Sequence, residues 1–100
     1  MAIKVIIRRQ FKKGSMEQAS RLLTRARYAA MGMKGYISSE TLSLQDSPAH
    51  VVVLSMWQSA ADWRRWEDSP QRSEFNVEMQ KIMELPEKIE IYRLGLEQEF

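Results

Sequence analysis

One hundred residues, 44% of them hydrophobic and 28% charged, suffice for one compact domain and not for two, so residues 1–100 are expected to fold as a single unit. The absence of cysteine excludes disulfides, thiolate metal sites and cysteine nucleophiles, no apolar run approaches the ~18 residues of a membrane span, and the N-terminus lacks a secretory apolar block. The net charge is +2, with bases gathered at Lys4, Arg8, Arg9, Lys12, Lys13, Arg21, Arg25 and Arg27; this reads as a solvated surface on a cytoplasmic protein with no membrane partner.

Residues 2–10 place Ile3, Val5, Ile6 and Ile7 among Lys4, Arg8 and Arg9, a β-branched run that predicts a strand ended by Lys13-Gly14. Ser15 followed by Gln18 has the form of a capping box. Behind it Ala19, Leu22, Leu23, Ala26, Ala29, Ala30 and Met33 recur at helical spacing, predicting an amphipathic helix closed near Gly32. Residues 35–44 are rich in strand formers, Gln45-Asp46-Ser47-Pro48 supplies a turn, and a strand from about His50 to Trp57 completes a hairpin. Ser59 and Asp62 make a second capping box, for a helix with Trp63 and Trp66 on one face. Pro70 suits the first turn of a further helical piece carrying Phe75, Met79, Ile82 and Met83. Beyond Pro86, the residues Ile89, Ile91, Tyr92 and Leu94 form a last strand. The order βαββαβ predicts a ferredoxin-like α+β fold, an antiparallel sheet with its helices on one face.

The third strand is apolar on both sides, Val51 and Val53 against Val52, Leu54 and Met56, yet helices can cover only one face. An apolar sheet face of that size predicts a two-fold homodimer packed sheet to sheet.

All three tryptophans fall within positions 57–66, across one strand-to-helix junction. Trp57 and Trp63 are expected to fasten the helix to the sheet, and Trp66 to face a ligand. The hairpin strand ending in Trp57, the serine-capped helix with Trp63, Trp66 and Ser69, and the upstream Gly35-Tyr36-Ile37-Ser38-Ser39-Glu40 resemble the antibiotic biosynthesis monooxygenase domains over about residues 2–95. The resemblance implies a dimeric α+β barrel. It also implies a superfamily that spans cofactor-free oxygenases of polyketide anthrones and quinols, haem degraders and members with no assigned chemistry.

The haem-degrading members use a first-strand asparagine, a tryptophan and, ten residues on, an axial histidine; the matching positions here hold Ile7, Trp66 and Asn76. An asparagine amide is a poor ligand for haem iron, so haem degradation is disfavoured. The cofactor-free members need a dry pocket and hydrogen bonds to a substrate anion that itself reduces oxygen, with no cofactor. On that resemblance Trp66 and Asn76 are the catalytic pair: an aromatic wall with an indole N–H, and a polar floor. Arg72, one turn before Asn76, offsets negative charge if it is not a surface base paired with Asp68. Ile7, Tyr36 and Tyr92 complete the substrate contacts, around a small aromatic, quinol or polyketide-like compound.

Other classes fit less well. RNA-recognition domains share the element order, but here the first strand offers no stacking aromatic, so no nucleic-acid partner is expected. No His/Asp/Glu grouping has metal-ligand spacing and no glycine loop suits a phosphate. A non-catalytic homodimeric module that binds a small aromatic or apolar ligand is the alternative to an oxygenase.

Overall fold

Alternation in the N-terminal run decides which way every later element faces. In a computed structural model, which describes residues 1–96, that run becomes strand β1 (Ile3–Gln10), followed by α1 (Met16–Met31), β2 (Tyr36–Leu44), β3 (Ser47–Trp57), α2 (Ala60–Glu67), α3 (Pro70–Lys81) and β4 (Lys88–Arg93). The strands form one sheet in the order β2-β3-β1-β4, and all neighbours are antiparallel. This is the ferredoxin-like α+β arrangement expected from the element order.

Ile3, Val5, Ile7, Arg9 and Phe11 all point to the helix side and are buried; Val51, Ser55 and Trp57 of β3 lie on the same side. Two apolar clusters result. One joins Ile3, Val5 and Ile7 to Ala30, Trp57, Trp63 and Trp66. The other joins Phe11 and Val51 to Ala19, Leu22, Met79, Ile82 and Met83, and is closed by a bridge between Phe11 and Met83. Eight residues of α2 are too few for a helix to stand alone. Trp63, 1% exposed, gains roughly 4 to 6 kcal/mol of gross transfer energy on burial, which outweighs that shortfall.

The helix ends differ in how they are capped. Ser59 is extended and its Oγ accepts the Asp62 N–H at 3.1 Å; Ser69 does the same for the Arg72 N–H at 3.2 Å, with Pro70 in the first turn. The expected Ser15 box does not form. The Ser15 backbone is already turned, at φ −103° and ψ 6°, so its hydroxyl donates backwards to the Lys12 carbonyl at 2.6 Å.

Strand β3 begins at Ser47, earlier than the sequence pattern indicates. Pairing with β2 jumps from Ser43↔Val51 to Leu44↔Ser47, and this bulge takes up Pro48, which cannot donate to a regular ladder. Leu94 lies just past the end of β4. On the sheet face away from the helices, Ile6, Val52, Leu54 and Met56 are half-buried, and Leu42 is exposed. No helix among the described residues is long and apolar enough to cross a membrane. No cluster of three or more His, Cys, Asp or Glu side chains that could hold a metal is found among them.

Candidate active site

The inward alternation of β1 does not stop at apolar residues. After Ile3, Val5 and Ile7 it carries Arg9 into the layer between sheet and helices, where the side chain is only 7% exposed. A guanidinium there needs a partner, since an isolated buried charge is very costly. Glu87, in the segment before β4, supplies it: Arg9 Nε and Nη2 both reach Glu87 Oε2, at 3.0 and 2.9 Å. Desolvation, reinforced by the nearby Arg72 charge, holds the Arg9 pKa below its ordinary value, against the opposing pull of Glu87.

Arg72 completes the cluster from α3. It is also 7% exposed at the side chain, and its Nη2 donates to Glu87 Oε1 at 3.1 Å. It therefore does not pair with Asp68 as a surface base. The Arg72 guanidinium lies 5.4 Å from the centre of the Trp63 ring, a cation–π contact that ties α3 to α2. Trp63 in turn packs edge-on to Trp57 at 5.9 Å, and Trp57 to Tyr36 at 5.6 Å.

A partly open cavity of about 70 Å³ lies beside these groups, with Ile7, Ser55, Trp63, Trp66, Arg72 and Asn76 in its lining. Leu23, Phe75 and Met79 close it on the apolar side, and Arg9 and Arg27 add further charge. Four of the residues singled out in the sequence, Ile7, Trp66, Arg72 and Asn76, thus meet at one space. Two do not. Tyr36 stands behind the wall, its hydroxyl 2.6 Å from the Oγ of Ser39, which does line the cavity. Tyr92 pairs with Lys4, not with the inward Val5, so it faces the opposite side of the sheet and donates to Glu90 at 3.0 Å. By strand parity Tyr92 therefore stands away from this cavity.

Three further residues stand at or beside the cavity. Ser55 is buried beside Trp57, whose indole N–H it accepts at 3.1 Å. Trp63 both locks α2 to the sheet and lines the cavity, and its buried indole N–H has no acceptor among the described residues. Glu87 lines a separate outer groove of about 480 Å³, together with Asn76, Gln80 and Met83; Asn76 therefore borders both spaces.

Asp62 fixes the position of α2. Its carboxylate accepts from Arg65 at 2.8 Å and from the Ser59 hydroxyl at 2.9 Å, and these bonds hold its pKa below the ordinary value. The same carboxylate rests against Gly35, whose φ is +87°.

The family profile of the antibiotic biosynthesis monooxygenases matches residues 2–78. The chain belongs to that family. Among solved structures, a conserved protein from Methanosarcina mazei Go1 superposes with a TM-score of 0.88 at 18% identity, over 93% of this chain and 92% of its own. Rv0793 from Mycobacterium tuberculosis gives 0.86 at 14% identity, over 98% of each chain. SnoaB, a cofactor-independent oxygenase from Streptomyces nogalater, gives 0.86 at 11%, over 96% of this chain and 95% of its own. Identities this low show a shared fold. None of the curated proteins matches significantly. Within this monooxygenase fold the cavity lies between the helix layer and the inner sheet face, and its polar groups include three arginines, Arg9, Arg27 and Arg72.

Proposed function

We propose that the chain is a cofactor-independent monooxygenase acting on a small aromatic, quinol or polyketide-like substrate that ionises to a phenolate or carbanion. The observation that carries this reading is the convergence of Trp63, Trp66, Arg72 and Asn76 on one cavity whose remaining lining is part apolar, from Ile7, Leu23, Val53, Phe75 and Met79, and part polar, from Arg9, Arg27, Ser39, Thr41 and Ser55. The ionised substrate transfers electrons to oxygen directly; for an anthrone methylene, one oxygen atom becomes the new carbonyl and the other leaves as water with the two methylene hydrogens. The protein holds the anion. In this reading the Trp66 indole N–H and the Asn76 amide donate to the developing oxyanion, Arg72 balances its charge, and Ile7, Phe75 and Met79 exclude water.

At about 70 Å³ the cavity is small, and it is partly open to the surface. Oxygen uptake with a panel of anthrones and hydroquinones tests the function. Saturable uptake above the uncatalysed rate is expected with at least one compound. Background rates throughout, beside saturable binding, would instead favour the non-catalytic ligand-binding module, a reading to which the small cavity lends weight.

The outer sheet face supports a homodimer. Ile6, Val52, Leu54 and Met56 lie there uncovered by any helix, next to exposed Leu42. Sedimentation should give twice the 11.7 kDa chain mass. Leu54→Asp, which places a charge at the centre of that face, should shift the mass to the monomer; a monomeric wild type at micromolar concentration would contradict the dimer.

A further inference from the structure

The ion cluster beside the cavity is unbalanced. Two guanidinium groups share one carboxylate, and all three side chains are largely removed from water, with 7%, 7% and 18% of Arg9, Arg72 and Glu87 exposed. A net positive charge is left beside a cavity of mixed polar and apolar lining, where screening is weaker than in bulk water. Hydrogen-bond capacity is unbalanced in the same direction. Arg72 reaches Glu87 through Nη2, while its Nε and Nη1 meet no acceptor among the described residues. The buried Trp63 indole N–H, a group that can only donate, has no acceptor there either. The Arg72 guanidinium lies over that same indole ring, 5.4 Å from its centre.

An unpaired buried donor such as the Trp63 N–H is costly and rare in folded proteins. Together with the spare Arg72 donors it lines one cavity, which suits a ligand that brings acceptors and negative charge. Glu87 shows the chemistry such a ligand needs: its carboxylate reaches the arginines from the side of the outer groove, and Asn76 lines both groove and cavity. A carboxylate group is small enough for the inner space.

Accepting the cavity as the ligand site, we propose that Arg72, Arg9 and the Trp63 indole form a carboxylate-recognition site, so that within the proposed substrate class a compound bearing an acid group is bound in preference to its neutral counterpart. The acid group sits against the Arg72 guanidinium and the Trp63 N–H, sharing with Glu87 the charge of the two arginines. Bidentate pairing with a planar guanidinium then fixes the orientation of the attached ring.

Calorimetric titration in nitrogen-flushed buffer separates this proposal from turnover. The probes are 1-hydroxy-2-naphthoate and its nearly isosteric amide, 1-hydroxy-2-naphthamide, at constant ionic strength. The acid should bind at least about tenfold more tightly than the amide, the range of a hydrogen bond to a charged group. Arg72→Met should abolish the preference, and Glu87→Gln should strengthen acid binding, because a competing carboxylate is removed. Equal affinities for acid and amide in the wild type, no binding of either, or a preference that survives in folded Arg72→Met would each overturn the proposal. If Arg72→Met does not fold, the wild-type comparison and the direction of change in Glu87→Gln decide it. Acid preference without oxygen uptake leaves the recognition site standing and removes the oxygenase; uptake by compounds bound without regard to charge does the reverse.

Discussion

Replacing Glu87 by leucine should lower folding stability by about 3 to 5 kcal/mol, the loss expected when one partner of a buried charge cluster is removed. The substitution leaves Arg9 and Arg72, each 7% exposed at the side chain, as adjacent like charges without a counter-ion. Arg9 already feels this tension, since burial and Arg72 both press its pKa down and Glu87 alone opposes them. A small domain has only about 5 to 15 kcal/mol in total, so the variant should be close to unfolding. Urea unfolding at pH 7 measures the effect. Glu87→Gln keeps an acceptor and should fall between leucine and wild type. A leucine variant within 1 kcal/mol of wild type would show that the arginines are solvated, contrary to their burial.

Gly35→Ala should be the second large perturbation, at about 2 to 4 kcal/mol. Two causes add. A φ of +87° costs an L-residue about 1 to 2 kcal/mol, and a new Cβ would overlap the Asp62 carboxyl group. Asp62 must then swing away from Ser59 and Arg65, which loosens the start of α2 and with it Trp63 and Trp66. Gly14→Ala separates the causes, because Gly14 has a similar φ of +85° and nothing within 4 Å of the added Cβ. It should cost about 1 to 2 kcal/mol, the conformational part alone. Equal thermal shifts in the two variants would rule out the Asp62 contact.

The element order was legible because hydrophobic period and turn chemistry change together, at Lys13-Gly14, at Gln45-Asp46 and at Ser69-Pro70. The parity of β1 also held the clue to Arg9: Ile3, Val5, Ile7, Arg9 and Phe11 form one inward series. Counting Arg9 among the surface bases let its charge override that series. Glu87 carried no local signal, since its partners stand 78 and 15 residues away and only the folded topology brings them together. Tyr92 could have been excluded by the rule that reveals Arg9, because Ile89 and Ile91 take the inward register opposite Ile7 and Val5. Trp66 and Asn76 were recognisable from helical spacing and family resemblance. The packing of Trp63 is legible in the sequence; its unpaired donor at the cavity depends on which acceptors the fold withholds, and no sequence pattern records that.

The central claim is that this cavity performs a monooxygenation. Turnover of an accepted anthrone under ¹⁸O-labelled oxygen tests it, with wild type and Trp66→Phe compared at matched thermal stability. One labelled oxygen atom should appear in the product, and loss of the indole donor should reduce kcat at least about tenfold. Product without label, or an unchanged rate in Trp66→Phe, would contradict the account.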